Sequence, residues 1–155
     1  MKPGGSRVKG SAFERHVAAM ICKAFGVPKS ECYRTPLSGG HPYGDTGDLV
    51  LGPQLLARWP ALVECKHRRG WRVEHLLVPS REMEQWLGRL HSRAIALGRI
   101  PVLVVRGNRT AIYAVVPDGH VPAECLPVVR LLAAGTVWQA CLARQYLESL
   151  AAHVL

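Results

Sequence analysis

Asp48, Glu64 and Lys66 are the residues whose types and spacing could do chemistry. Glu64 and Lys66 lie two apart in the run Leu62-Val63-Glu64-Cys65-Lys66. A strand alternates its side chains with period two, so both should leave one face while Val63 and Cys65 point into a core. Asp48 opens a second apolar stretch, Leu49-Val50-Leu51. Pairing the two stretches as strands would bring Asp48, Glu64 and Lys66 close together. Two carboxylates and an ammonium so placed make an oxygen-lined site for a hard cation, with a positive group for a phosphate or an attacking water. Formal net charge is +9, from 20 Lys+Arg against 11 Asp+Glu, which favours a polyanionic partner, nucleic acid before an acidic membrane surface. The combination points to metal-dependent cleavage of nucleic acid.

These residues need a scaffold, and 155 residues with 48% hydrophobic content suffice for one domain spanning 1–155 with a single core. The five cysteines (22, 32, 65, 125 and 141) are odd in number and contain no CxxC pair. That excludes a disulfide framework and a structural zinc site, and suits a reducing cytoplasm. The basic N-terminus lacks the apolar segment of a secretory signal, and no apolar run approaches the roughly 18–20 residues that cross a bilayer. A soluble cytoplasmic protein with no membrane partner is expected.

Residues 1–10 read as a flexible basic arm. Ser11 and Glu14 then match a capping box, followed by Phe13, Val17, Met20, Ile21 and Ala24 on one helix face as far as Gly26. Strands are expected near 32–36, 47–51 and 60–66, with a turn-rich loop at 38–45. The basic loop 66–72 contains Trp71, which could pack on a sugar or base or clamp its own loop. A short helix is expected near 73–78, and a longer one from Ser80 to Leu97. Strands at 101–106 and 110–116 follow, then an ambiguous segment at 121–135 and a C-terminal helix over about 137–152. The order implies an α/β fold with helices on both sides of a sheet, and the helix joining 60–66 to 101–106 allows that pair to be parallel.

The chain resembles the PD-(D/E)xK nuclease superfamily, and within it the archaeal-type and phage Holliday junction resolvases. The matching residues are Lys9-Gly10-Ser11-x-x-Glu14-Arg15, Ser38-Gly39, Gly47-Asp48-Leu49-Val50 and Val63-Glu64-Cys65-Lys66. Later come Glu84-Gln85-Trp86 and Pro101 to Asn108, all in the family's order. Two departures stand out. Gly47 replaces the motif's proline, and Pro53 to Pro60 lengthen the spacer as if a hairpin were extended. The resemblance implies a restriction-endonuclease-like mixed central sheet flanked by helices. It also implies a homodimeric enzyme of DNA recombination and repair, working in the host cytoplasm if phage-encoded, which resolves four-way junctions by paired symmetric hydrolysis. A less selective nuclease on flaps, ends or other branched DNA, or an inactive DNA-binding protein of the same fold, are the alternatives.

On this resemblance Asp48 and Glu64 would hold Mg²⁺, with Mn²⁺ a possible substitute, helped by the Cys65 backbone carbonyl. Lys66 would orient or deprotonate the water, or stabilise the phosphorane; a solvated ion pair with Glu64 is the plain alternative. Glu14 has two compatible roles: it completes the capping box and, on the resemblance, faces the metal centre as a metal-site residue that supports catalysis. Ser38 would approach the scissile DNA or be an ordinary turn serine. Gln85 would support the site or face solvent, and Asp45 is a loop residue or a second metal ligand. Arg7 and Lys9 on the arm, with Arg15, Arg34, Arg68, Arg69 and Arg72 around the site, would bind phosphates by shape rather than base sequence. The broad apolar surface of the last helix is a candidate dimer interface.

Overall fold

The computed structural model describes residues 5–36 and 46–153. Helix α1 (Gly5–Phe25) buries Phe13, Val17 and Ile21 of the expected stripe together with Ala18, Cys22 and Phe25, while Met20 and Ala24 are only partly buried at its margin. It begins upstream of the expected cap: residues 5–10, assigned to a flexible arm, are helical, and Ser11 lies inside the helix. The periodic contacts of α1 outweigh the helix penalty of Gly5 and Gly10. Of the proposed arm, residues 1–4 lie outside the described residues.

A 3-10 turn (Lys29–Glu31) leads into β1 (Cys32–Arg34), which pairs antiparallel with β2 (Leu49–Leu51). The spacer that resembled an extended hairpin instead folds as α2 (Pro53–Arg58), with Pro53 in its first turn and Leu55 buried. Glu31, itself buried, accepts the Leu55 backbone N–H at 3.1 Å, and the Gly52 N–H reaches the Glu31 carbonyl at 2.8 Å. These bonds satisfy backbone groups that would otherwise be orphaned at the helix start.

The main sheet has five strands in the order β3 (Ala61–His67), β4 (Ile100–Arg106), β5 (Tyr113–Pro117), β7 (Thr136–Leu142), β6 (Val129–Ala133). β3 and β4 are parallel and the remaining pairs antiparallel. Between β3 and β4 the chain forms α3 (Glu74–Leu77) and α4 (Arg81–Ala96). The Ser80 hydroxyl caps α4 by accepting the Met83 N–H at 3.1 Å. The final helix, α5 (Ala143–His153), packs against α1.

One face of the sheet is covered by α1, α2 and α5, whose Phe13, Ile21, Leu55 and Tyr146 pack with Val63, Cys65, Val104 and Cys141. The other is covered by α3 and α4, whose Leu76, Met83, Leu87 and Leu90 pack with Leu62, Leu103, Val115 and Trp138. This is a mixed α/β, restriction-endonuclease-like sheet with helices on both sides.

The expected helix over 137–152 needs correction: residues 136–142 are β7, and the helix starts only at Ala143. β7 is an inner strand covered on both faces, so Ala140 and Cys141 are both buried and the period-two signal is erased. The ambiguous 121–135 segment supplies β6, joined to β7 by a two-residue turn in which Ala134 and Gly135 adopt φ of 51° and 74°.

Candidate active site

Asp48 reaches β3 by a route other than the expected strand pairing. β2 pairs with β1, and it is the turn before β2 that docks on the open edge of β3. There the Asp48 N–H donates to the Val63 carbonyl at 2.9 Å, and the Cys65 N–H donates to Asp48 Oδ2 at 2.8 Å. A Cβ on Gly47 would lie 2.2 Å from the Val63 carbonyl oxygen, so no side chain fits between this turn and β3. That explains the glycine where the resembling motif carries proline. On the outer side, Thr35 donates its N–H to the Asp48 carbonyl at 2.9 Å and its hydroxyl to the Gly47 carbonyl at 2.8 Å. Thr35 thus clamps the turn from β1's end, a role that no motif in the sequence marks.

Glu64 leaves β3 toward α4. Burial first, then the Asp48 charge and a hydrogen bond with Asp48, pushes its carboxyl up to about 8; Lys66 and Arg93 act in the opposite sense. Arg93 of α4 holds Glu64 Oε1 at 3.2 Å and also donates to the Thr46 carbonyl. The Lys66 ammonium lies 5.7 Å from the centroid of the Trp86 ring. Glu64, Lys66, Trp86, Arg89, Leu90, Arg93 and Leu103 line one cleft of about 280 Å³. The Cys65 thiol is buried in the core and held well above its ordinary pKa by that burial, so it stays protonated. Its backbone serves the site, because a strand residue's C=O leaves the same edge as its N–H, here the edge facing Asp48.

Glu14 does not form the expected capping box. Its Oε2 accepts from Arg34 Nε at 2.5 Å, and burial raises its pKa, with a smaller contribution from nearby Asp48. Arg34 is therefore engaged by Glu14. Arg68 lies 5.4 Å over Trp86 and 3.5 Å from Glu82, whereas Arg69 and Arg72 are exposed on the loop after β3. Arg7, Lys9 and Arg15 are exposed along α1. Trp71 is buried, donating to the Met83 sulfur at 3.3 Å and packing on Tyr113, so it clamps its own loop. Gln85 is exposed. Ser38 and Asp45 lie outside the described residues. Trp86, Arg89 and Arg93 were missed as site residues; their i, i+3, i+7 spacing on a helix was visible, but not that this face would turn toward Glu64.

The sequence profile of the phage putative PDDEXK endonucleases matches residues 5–126, which contain every element of this site. The chain belongs to that family. No curated protein and no solved structure matches the chain. Nucleases of the PD-(D/E)xK type generally use divalent metals, and the donors of this phage PDDEXK endonuclease family member suit one. Two carboxyl groups share a half-buried site where burial first, and then the Asp48 charge, raises Glu64, a cost that a hard cation would relieve. Among the described residues no group of three His, Cys, Asp or Glu side chains is arranged to hold a metal, so the third protein donor there would be the Cys65 carbonyl. Nor is any described helix long and apolar enough to cross a membrane.

Proposed function

We propose that this protein is a divalent-metal-dependent DNA endonuclease that resolves four-way junctions as a homodimer. The observation that carries the reading is the docking of Asp48 on the β3 edge through the Cys65 N–H, beside Glu64 and Lys66. Asp48, Glu64 and the Cys65 carbonyl would hold Mg²⁺ or Mn²⁺. A cation bound there would supply the Lewis-acid charge that phosphodiester hydrolysis requires. Lys66, facing the same cleft, holds the attacking water or donates to the charge developing on the phosphate oxygens. Glu14, held by Arg34 and near enough to Asp48 for their charges to interact, supports the metal site from α1, and Ser38 approaches the scissile strand. Arg7, Lys9, Arg15, Arg68, Arg69 and Arg72 contact backbone phosphates.

Junction selectivity and the dimer rest on the ordered motifs and on symmetry: two strands must be cut at matching positions, and a two-fold dimer presents two sites so related. Residues 1–155 act as one nuclease domain, a reading supported by the shared core of α1 and α5. The test is cleavage of a labelled immobile four-way junction beside a linear duplex of the same sequence, with Mg²⁺ or EDTA. Paired symmetric nicks confined to the junction, lost in EDTA and in Glu64→Ala, support the reading. Equal cutting of both DNAs makes this a less selective nuclease. Binding without cutting makes it an inactive binder.

A further inference from the structure

The cleft wall opposite β3 is a face of α4. Trp86, Arg89 and Arg93 recur there at i, i+3 and i+7 and, with Leu90, close the cleft over Glu64, Lys66 and Leu103. Three of these lining side chains are cations, and a single carboxyl group, that of Glu64, stands among them. Glu64 is engaged by Arg93, and Arg93 also holds the Thr46 carbonyl. Lys66 and Arg68 both place their charges over the Trp86 ring, at 5.7 and 5.4 Å from its centroid. Arg89 differs from them: it is exposed, it lines the cleft, and it makes no ion pair or hydrogen bond among the described residues.

We propose that Arg89, beside Arg68 held on the Trp86 ring, binds a DNA backbone phosphate adjacent to the one that is cut. This rests on the nuclease reading above and names where the strand runs: between β3 and α4. The chemistry favours a phosphate over a base. A guanidinium presents paired N–H donors that match two phosphate oxygens, and the cleft walls exclude part of the water that would weaken the contact. Trp86 already carries two cations, so it organises positive charge instead of offering a bare ring to a nucleobase. Without such a ligand, the cations of the cleft repel one another at a helix face that the fold could have filled with neutral residues.

The experiment measures binding of a fluorescent four-way junction in EDTA by anisotropy, from 50 to 200 mM NaCl, together with cleavage in Mg²⁺. It compares wild type with Arg89→Gln, Arg89→Lys and Arg130→Gln, the last on β6 at the opposite edge of the sheet. Arg89→Gln is expected to weaken binding about tenfold, to lower the slope of log affinity against log salt by about one, and to raise KM more than it lowers kcat. Arg89→Lys keeps the wild-type slope, because it keeps the charge, and Arg130→Gln behaves as wild type. An unchanged slope and affinity in Arg89→Gln overturns the proposal, as does an equal loss in Arg130→Gln. A wild-type protein that neither binds nor cuts DNA sinks the nuclease reading itself, and this subsite with it. Arg89 is solvent-exposed, so unchanged thermal unfolding of Arg89→Gln separates lost binding from lost folding.

Discussion

At Gly47 the added methyl of an alanine would collide with the Val63 carbonyl oxygen, and backbone cannot yield as a flexible side chain can. Gly47→Ala should push the Asp48 turn off the β3 edge and break the Asp48–Val63 and Cys65–Asp48 hydrogen bonds. Cleavage should fall about 100-fold or more, as expected when a catalytic group is misplaced by about an ångström. Circular dichroism of the variant should still report a folded chain. Glu64 carries a second prediction. Its carboxyl is raised from the ordinary value to about 8, by burial above all and then by Asp48. The folded state therefore holds that proton more tightly than the unfolded chain does. The resulting stability is full below pH about 4.5 and is lost as pH rises through about 8. In EDTA, the melting temperature of the wild type should drop across this window, and that of Glu64→Gln should drop less. Added Mg²⁺ should raise the wild-type melting temperature at pH 8 and leave Glu64→Gln nearly unmoved. A wild type with no Mg²⁺ response would remove the support for a metal site at these carboxylates.

The elements around the site are held by contacts remote from it in sequence. Glu31 caps α2 from twenty-four residues away, and a Cβ on Gly52 would collide with its carboxylate. Removing it in Glu31→Ala leaves the buried Leu55 N–H without its acceptor. The expected loss is about 1–3 kcal/mol, read as a lowered urea midpoint. β2 ends where α2 begins, so the same variant should also lower cleavage, by less than Gly47→Ala does. The elements also show why some were legible and others not. α4 announces itself with the Ser80 cap and the stripe Met83, Leu87, Leu90, Ala94. β7 does not, since a strand covered on both faces shows apolar residues at spacings a helix shares. The β6–β7 turn had one signal, Ala134-Gly135, and it is weaker than the Asn-Gly pairs that mark such turns.

Across the whole molecule, the net charge of +9 is distributed with α1 and the loop after β3 carrying Arg7, Lys9, Arg15, Arg69 and Arg72 exposed. Junction affinity in EDTA should therefore fall at least about tenfold between 50 and 200 mM salt. A flat response would mean that these charges do not meet phosphates. The chain's local chemistry determined much on its own. Period-two alternation put Glu64 and Lys66 on one face of β3, the excess of Arg and Lys pointed to a polyanion, and helical spacing marked α1 and α4. Side-chain periodicity depends only on near neighbours, so it is visible in one dimension. Tertiary structure alone decided how Asp48 meets β3, because that contact is a turn docked on a strand edge and leaves no repeating pattern. It likewise decided that Glu14 would pair with Arg34, and that Trp71 would be buried while Trp86 faces the cleft. Each of those outcomes depends on which surface of an element turns inward, and that is settled only when the layers pack together.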